Sequence, residues 1–319
     1  MSKLSILVPC YNAEKFLHQA LNSIKGQTFT DYEVLLINDG STDGTERILR
    51  EYTDSDSRFK LINKNNTGYG DSMNVGIESA NGEYIGILEP DDYIESEMYE
   101  RLVSKADETN AEVVRCFWIE EMVQTGESIS RGKFDKEDEV LNPIEEQSIF
   151  LLSPAVWTGI YRRSWLNKKN IRFLPTPGAS FQDTSFAFKT KMLSERYVVL
   201  GDHFYHYRIH GGNSIFSGNK KMSVIVEWDE CVKAIIEHNM IKEFSPIIYA
   251  LQYYTYKWNA SRLSKEDLQS FVFEWSKRWR EMSKVFPLSA ISQFKIFRKA
   301  LMIIYTPKIY INYMLYKRR

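Results

Sequence analysis

A short apolar run that ends in a group of carboxylates constrains the fold of this 319-residue chain more than any other feature. Residues 84–88 are aliphatic or aromatic apart from one glycine, and Glu89, Pro90, Asp91 and Asp92 follow directly. Such a run predicts a buried, central strand of an α/β sheet. Open α/β sheets bind ligands at the carboxyl ends of their strands, which is where these carboxylates lie.

Glu89, Asp91 and Asp92 would repel one another unless a cation lay among them. Oxygen ligands without a neighbouring Cys or His suit Mg²⁺ or Mn²⁺, usually in company with substrate phosphates. A simpler interpretation is that Asp92 or Ser96 caps a helix that begins near Glu97. Since Ser96 alone can provide that cap, the three carboxylates favour a site for a metal and a diphosphate.

The residues before this run alternate between strands and helices. Apolar spacing predicts strands over 4–8, 33–37 and 59–62, with a helical apolar stripe after each of them. Four strands and three helices within about 90 residues are typical of a mostly parallel, doubly wound α/β sheet. A chain of this length also has room for a second, smaller unit.

The loops after the first two strands carry polar and aromatic side chains rather than a glycine motif. Pro9-Cys10-Tyr11-Asn12-Ala13-Glu14 has neither the G-x-G-x-x-G of a dinucleotide fold nor the phosphate loop of a nucleotide triphosphatase. Tyr11 offers a flat face on which a base can stack, and Asp39 can accept a hydrogen bond from a base N–H. Taken singly, Tyr11 reads as a core aromatic and Asp39 as an Asx-turn residue. Together, at one sheet edge, they favour a nucleotide site.

Four segments of the chain resemble the family 2 glycosyltransferases. They are Val8-Pro9-Cys10-Tyr11-Asn12, Asn38-Asp39-Gly40-Ser41-Thr42-Asp43, Asn74-Val75-Gly76-Ile77 and Glu89-Pro90-Asp91-Asp92. Members of that family are inverting enzymes with the GT-A fold, which use nucleotide-diphosphate sugars as donors. The resemblance covers residues 3–215, and the first hundred residues carry its most specific motifs.

The resemblance implies a donor site in which the nucleoside is usually uridine. The donor-binding residues that it indicates are Pro9, Tyr11, Glu14, Asp39, Asn66, Gly70, Asn74, Glu89 and Asp91. Two positions depart from the usual pattern. Glu89 replaces the first Asp of the family's D-x-D motif, and Met73 stands where a basic residue is common.

A divalent metal, Mg²⁺ or Mn²⁺, and a catalytic base are also implied. The expected metal ligands are Asp91, Asp92 and His210. The histidine follows an apparent strand over 203–208, in a segment similar to one that closes over the diphosphate in the family. Asp183 matches the base of the family's E-D-x-x-F motif, while Gln182 replaces the preceding Glu. The alternative is that Asp183 is only a helix N-cap.

The predicted function is an inverting glycosyltransferase of the bacterial cell-surface polysaccharide type. It would move a sugar from a nucleotide-diphosphate donor, with a UDP-sugar expected, to a hydroxyl of a glycan or lipid-linked acceptor. One alternative is a catalytically silent scaffold that binds sugar nucleotides, an interpretation that Gln182 and Met73 keep open. The other is a sugar-1-phosphate nucleotidyltransferase, which should carry an amino-terminal glycine-rich loop with Arg and Lys that this chain lacks.

The carboxyl-terminal third differs from the rest in charge. From residue 217 onward there are 18 Lys and Arg against 9 Asp and Glu, and after Met282 there are eight basic residues and no acidic one. We therefore predict a GT-A catalytic domain over 1–216 and a basic, aromatic helical region over 217–319. The interrupted apolar segment 300–311 and the basic residues around it fit an interfacial helix on anionic lipid. An oligomer contact or a core helix is the alternative.

Composition points to a reducing compartment. The cysteines Cys10, Cys116 and Cys231 are isolated and odd in number, and the amino terminus has no signal-peptide pattern. We expect a cytoplasmic protein, peripheral on the inner face of the plasma membrane. The expected partners are the donor, the acceptor, anionic lipid and a further copy of the chain, but not nucleic acid, for which there is no recognition motif.

Overall fold

The apolar run at residues 84–88 forms strand β4 (Tyr84–Ile87). In the computed structural model, which describes residues 2–211 and 222–317, this strand lies inside a sheet between β1 (Leu4–Cys10) and β8 (Gly159–Arg162). The chain divides into two compact units, Met1–Ser214 and Ile215–Arg319. The predicted domain boundary after residue 216 falls outside the described residues and stays a prediction.

The first unit is a mixed α/β structure. Its other strands are β2 (Tyr32–Asp39), β3 (Phe59–Lys64), β5 (Tyr93–Ile94), β6 (Val113–Met122), β7 (Ser128–Arg131) and β9 (Tyr197–Ile209). Its helices are α1 (Glu14–Lys25), α2 (Thr45–Ser55), α3 (Tyr69–Ser79), α4 (Met98–Thr109), α5 (Arg163–Lys168) and α6 (Gln182–Leu193). The strand order is β3-β2-β1-β4-β8-β6-β9-β5, and β7 pairs with β6.

Strands β1 to β4 pair in parallel, as the alternating pattern of strands and helices predicted. Beyond β4 the sheet is mixed, because β8 runs antiparallel to both β4 and β6, while β6 and β9 pair in parallel. Helices cover both faces. Ile6 and Val8 pack into the core under α1, α2 and α4, whereas Leu7 packs into the core under α3, α5 and α6. Burial on both faces explains why β1, β2 and β4 are mostly apolar, whereas β3, at the edge of the sheet, is only partly buried.

One predicted strand begins later than its sequence indicates. Residues 157–161 read as a strand, but Val156–Thr158 is a 3₁₀ turn and β8 begins at Gly159. The hydroxyl of Thr158 donates to the carbonyl of Ala155 at 2.8 Å, a local bond that competes with the sheet ladder. The turn places Trp157 just before the first residue of β8.

The second unit is helical. It contains α7 (Ser223–Glu237), α8 (Ile241–Phe244), α9 (Ile248–Arg262), α10 (Lys265–Met282), α11 (Ile296–Tyr305) and α12 (Pro307–Lys317). Trp275 is at the centre of its core, where it meets Tyr256, Trp279 and Tyr310 edge to face at 5.2–5.4 Å between ring centroids. Other aromatics of the unit, such as Trp228, Tyr249 and Phe271, are buried as well, whereas Tyr254, Trp258, Phe273, Phe294, Tyr305 and Tyr316 are exposed.

The basic tail contributes to that core. Ile303, Ile304 and Tyr310 belong to the segment that was predicted to lie on a membrane. All three are fully buried within the unit. Lys317 is described, whereas the last two arginines lie outside the described residues. Across the described part of the chain, no helix combines the length and apolar character that crossing a bilayer requires.

Candidate active site

Glu89 and Asp91 lie at the carboxyl end of β4, and a carboxylate from a distant part of the chain, Asp183, acts on Glu89 electrostatically. Glu89 accepts a hydrogen bond from the hydroxyl of Tyr69 at 2.7 Å. Burial, with a smaller contribution from the negative charges of Asp91 and Asp183, raises the pKa of Glu89 to about 8 against the opposing effect of the Tyr69 bond. The fold thus brings Asp183 into electrostatic range of the β4 carboxylates, more than ninety residues away in sequence.

Asp91 and His210 form a close pair. The Nε2 atom of His210 lies 3.0 Å from an Asp91 carboxylate oxygen, and the imidazole ring packs on Phe16 with 4.7 Å between centroids. The Asp91 side chain is 32% exposed and that of His210 15%. Two of the three predicted metal ligands are therefore adjacent at the surface of the cleft.

Asp92, the third predicted ligand, is fully buried. One of its carboxylate oxygens accepts from the hydroxyl of Tyr205 at 2.9 Å, and the other accepts from the backbone N–H of Arg208 at 2.8 Å. Burial raises its pKa, and these two bonds oppose that rise. Asp92 does not cap α4. Its hydrogen bonds to Tyr205 and Arg208 connect the end of β4 to β9. Its role as a metal ligand stays a prediction.

Asp183 lies in the first turn of α6, after the N-cap position. The N-cap residue is Phe181, in the left-handed conformation with φ of 67°, and no side chain caps the helix there. This geometry does not support the interpretation of Asp183 as a helix cap. Burial raises the pKa of Asp183 to about 6, while its own backbone N–H and Thr184 act in the opposite direction. At neutral pH the carboxylate is therefore ionised and able to accept a proton.

Gln182 holds the loop that precedes the predicted base. Its side-chain amide donates to the hydroxyl of Thr176 at 3.0 Å and to the carbonyl of Gly178 at 3.2 Å, and its oxygen accepts from the backbone N–H of Ser180. A glutamate has no N–H to donate to Gly178. The glutamine that replaces the family's glutamate at position 182 therefore suits the hydrogen bonds of this loop. Nothing in the sequence indicated these bonds.

The start of α3 is packed against the same loop. Tyr69 donates its backbone N–H to the carbonyl of Gly178 at 2.9 Å. A Cβ atom on Gly70 would lie 1.9 Å from the carbonyl oxygen of Leu174, so only glycine fits there. The amide of Asn74 exchanges two hydrogen bonds of 2.9 Å with the backbone of Phe173. Gly70 and Asn74, both predicted donor residues, thus connect α3 to the segment that carries Asp183.

Asp39 organises the loop between β3 and α3. Its carboxylate accepts from the backbone N–H groups of Thr67 and Gly68 at 3.0 Å each and from Nζ of Lys64 at 2.5 Å. Asn66, in the middle of this loop, is exposed. The bonds of Asp39 shape the loop that would contact a nucleoside.

The first loop presents one exposed ring. Tyr11 is 52% exposed, which excludes the core-aromatic interpretation, while Pro9 is buried in β1. The carboxylate of Glu14 accepts from the backbone N–H of Gly44 at 2.7 Å and so joins the first loop to the second. The nucleotide roles of these residues stay predictions.

A metal ion at this site would have only a few protein ligands. Among the residues that the structure describes, no group of three or more His, Cys, Asp or Glu side chains is placed to hold a metal ion. Mg²⁺ is commonly held by only one or two protein carboxylates, with substrate phosphates and water completing the shell. The Asp91–His210 pair fits that pattern.

Comparison with known proteins agrees with the motifs. A family model described as Glycosyl transferase family 2 matches residues 5–195. The putative glycosyltransferase EpsH of Bacillus subtilis is 30% identical over 250 residues, which cover 76% of this chain and 71% of EpsH. The poly(ribitol-phosphate) beta-N-acetylglucosaminyltransferase TarS of Staphylococcus aureus is 31% identical over 210 residues, 65% of this chain but only 35% of TarS.

Two solved structures share the fold. Residues 1–349 of S. aureus TarS, in complex with UDP-GlcNAc, superpose with a TM-score of 0.75 at 22% identity, covering 99% of this chain and 92% of that one. A mannosyltransferase from Pyrobaculum calidifontis, in complex with GDP-Man and Mn²⁺, gives a TM-score of 0.56 at 15% identity, with coverage of 99% and 87%.

The fold and the family model define a glycosyltransferase with the GT-A fold. The chain belongs to glycosyl transferase family 2. Its predicted fold class and its predicted family are both confirmed.

The raised pKa of Glu89 leads to a prediction about stability. The folded protein retains a proton on Glu89 that the unfolded chain has released, so stability falls as pH rises from about 4.5 towards about 8. Glu89→Gln keeps an acceptor for Tyr69 and carries no charge. At pH 8.5 we expect its free energy of unfolding to exceed that of wild type by on the order of 1 kcal/mol or more. It should therefore unfold at a higher temperature.

At pH 5 that gain should be much smaller, because Glu89 is then protonated in the folded wild type. Thermal unfolding of the metal-free and donor-free protein measures both values. Glu97→Gln, at an exposed glutamate of the same unit, is the matched control and should be neutral at both pH values. An equal effect of Glu89→Gln at pH 5 and pH 8.5 would contradict this account.

Proposed function

We propose that this protein is an inverting glycosyltransferase that moves a sugar from a UDP-sugar to a hydroxyl of a glycan or lipid-linked acceptor in cell-surface polysaccharide synthesis. The observation that carries the proposal is that carboxylates from two parts of the chain act on Glu89. One is Asp91, which is paired with His210, and the other is Asp183 of α6. The relative TarS is named a poly(ribitol-phosphate) beta-N-acetylglucosaminyltransferase, which supports transfer to a polymer, and the TarS complex with UDP-GlcNAc supports a uridine nucleotide.

Asp183 would act as the base. Its pKa of about 6 leaves it ionised at neutral pH yet basic enough to accept a proton from an acceptor hydroxyl as that hydroxyl attacks the anomeric carbon. A single displacement on the face opposite the diphosphate inverts the anomeric centre. The bonds of Gln182 to residues 176–180 hold the base in place during this step.

Asp91 and His210 would hold the divalent cation, with Asp92 fixing their position from beneath. When bound, Mg²⁺ or Mn²⁺ would neutralise the charge on the departing diphosphate. A mixed carboxylate and imidazole pair suits Mn²⁺ at least as well as Mg²⁺. The Mn²⁺ complex of the Pyrobaculum mannosyltransferase supports this choice.

The nucleoside would bind beyond the carboxyl ends of β1 and β2. The exposed ring of Tyr11 could stack on a base, and the loop shaped by Asp39 would bring Asn66 to the same edge of the sheet. Glu14 would act indirectly, by joining the two loops through Gly44.

The two departures that favoured a silent scaffold have structural explanations. Met73 is fully buried and packs in the core under α3. Gln182 bonds the loop that precedes Asp183. Neither change removes the base. A nucleotidyltransferase is disfavoured by the family match.

The role of Asp183 can be tested with Asp183→Asn. Because the variant keeps the shape of the side chain but cannot accept a proton, transfer should fall by about 10²–10⁴-fold, while the Kd for UDP stays unchanged. In wild type, kcat/KM should fall as pH drops below about 6, where Asp183 becomes protonated. Asp54→Asn, at an exposed position of α2, is the control. Near wild-type transfer by Asp183→Asn would show that another group is the base.

The metal site can be tested by calorimetry with UDP in the presence of Mn²⁺ or of a chelator. Asp91→Ala and His210→Ala should each abolish the increase in UDP affinity that Mn²⁺ produces, and should leave the affinity measured with chelator unchanged. His238→Ala, at an exposed histidine of the second unit, should behave as wild type. A wild-type affinity that does not depend on Mn²⁺ would contradict the proposed site.

We also propose that the second unit contacts the cytoplasmic face of an anionic membrane. Although Ile303, Ile304 and Tyr310 are buried, Tyr305, Ile309 and Tyr316 are 65%, 57% and 73% exposed. Lys308 and Lys317, beside them, are exposed as well. Aromatic and aliphatic side chains flanked by lysines are typical of an interfacial surface.

Point variants test the membrane contact, because truncation of the tail would remove core residues such as Tyr310. Each basic residue near an anionic surface contributes about 1 kcal/mol, so Lys308→Glu should weaken binding to phosphatidylserine vesicles at least about fivefold. Lys265→Glu, at the start of α10, serves as the control. If wild type fails to sediment with such vesicles at low salt, or if it self-associates through this surface instead, the membrane proposal is wrong.

A further inference from the structure

A cluster of aromatic rings lies beside the carboxylates and has no role in the reaction described so far. Trp157 is its centre: its ring is parallel to that of Tyr207, with 5.5 Å between centroids and an interplanar angle of 3°, and it meets Trp118 edge to face at 5.5 Å. Trp118, Trp157 and Tyr207 are each partly exposed. We refer to these three residues as the aromatic platform.

The pairing of β6 with β9 explains why the rings share one face. Trp118 is paired with Tyr205, and Glu120 is paired with Tyr207. Because side chains alternate along a strand, these four residues point to the same side of the sheet, and the intervening His206 points to the other. The hairpin partner β7 extends this face by one strand, since Arg131 pairs with Trp118 and Ile129 with Glu120.

Tyr205 connects the platform to the reacting groups. Its ring packs on Trp157 at 4.2 Å. Its hydroxyl donates to Asp92 and accepts from the backbone N–H of Glu89 at 3.1 Å. One side chain thus separates the platform from the β4 carboxylates. The segment that carries Trp157 also packs against α6, the helix that holds Asp183.

The polar groups around the platform indicate the charge of its ligand. Strand pairing places the carboxylate of Glu120 on this face, opposite Tyr207. Arg131 of the neighbouring strand β7 forms an ion pair with Glu120 at 2.7 Å. A phosphodiester placed here would have to displace Glu120 from Arg131, whereas a neutral sugar ring could cover the aromatic faces and exchange hydrogen bonds with both side chains.

We propose that the aromatic platform binds the acceptor, and that the acceptor unit it holds is an uncharged saccharide rather than a phosphate-bearing polyol. This inference depends on the proposed transferase function and adds the chemical class of the acceptor. Tyr205 connects the platform to Glu89, and the segment of Trp157 contacts the helix of Asp183. A sugar bound on the platform would therefore be near both the β4 carboxylates and the base.

Steady-state transfer from a UDP-sugar to neutral oligosaccharides, and to a poly(ribitol-phosphate) oligomer, tests the proposal. Trp118→Leu and Tyr207→Leu keep apolar bulk but remove the rings. Each should raise the KM for the neutral acceptor about fivefold or more, the loss expected for one aromatic contact, while the Kd for UDP stays within about twofold. Trp258→Leu, at an exposed tryptophan of the second unit, is the matched control.

An unchanged acceptor KM in both platform variants would overturn the assignment of the site, provided that wild type transfers sugar. Preference of wild type for the phosphate-bearing acceptor would overturn the assignment of the ligand class. Absence of transfer to every acceptor would instead count against the transferase function itself. Circular dichroism of each variant confirms that a raised KM does not come from unfolding.

Discussion

The buried carboxylate of Asp92 is the interaction on which the rest of the site depends. A fully buried carboxylate is costly unless its oxygens are bonded, and here Tyr205 and Arg208 provide those bonds from a strand more than a hundred residues later. The guanidinium of Arg208 returns a bond to the Asp92 carbonyl at 3.1 Å. This exchange fixes the end of β4 against β9, and both His210 and Tyr205 take their positions from β9.

The parallel half of the sheet could be predicted because its signals are local. The apolar runs that became β1 to β4 and the amphipathic stripes between them lie within a few residues of each other, and period alone separates strand from helix. The site could be predicted only as a set of residues. Their division into reacting and supporting groups depends on contacts across the sheet, which no local pattern records. Asp91 and Asp92 are adjacent and chemically identical, yet one lines the cleft and the other is buried.

Gly70, Asn74 and the carboxyl-terminal tail show the same limit. The first two were predicted to touch the donor, and the structure gives them contacts to the loop before Asp183. In the tail, the apolar spacing of 300–311 fits a membrane surface and a protein core equally well, since both bury one helical face. Only the position of Trp275 shows that Tyr310 packs inward.

The amide of Gln182 has a consequence for how the site responds to acidity. Where a glutamate would change its hydrogen bonds on protonation, an amide does not titrate, so the bonds to Thr176, Gly178 and Ser180 are the same at every pH at which the protein is folded. The neighbouring Asp183 gains and loses its proton on a support that does not itself change. In this chain, acidification alters the charge of one residue in the loop and leaves the loop's shape intact.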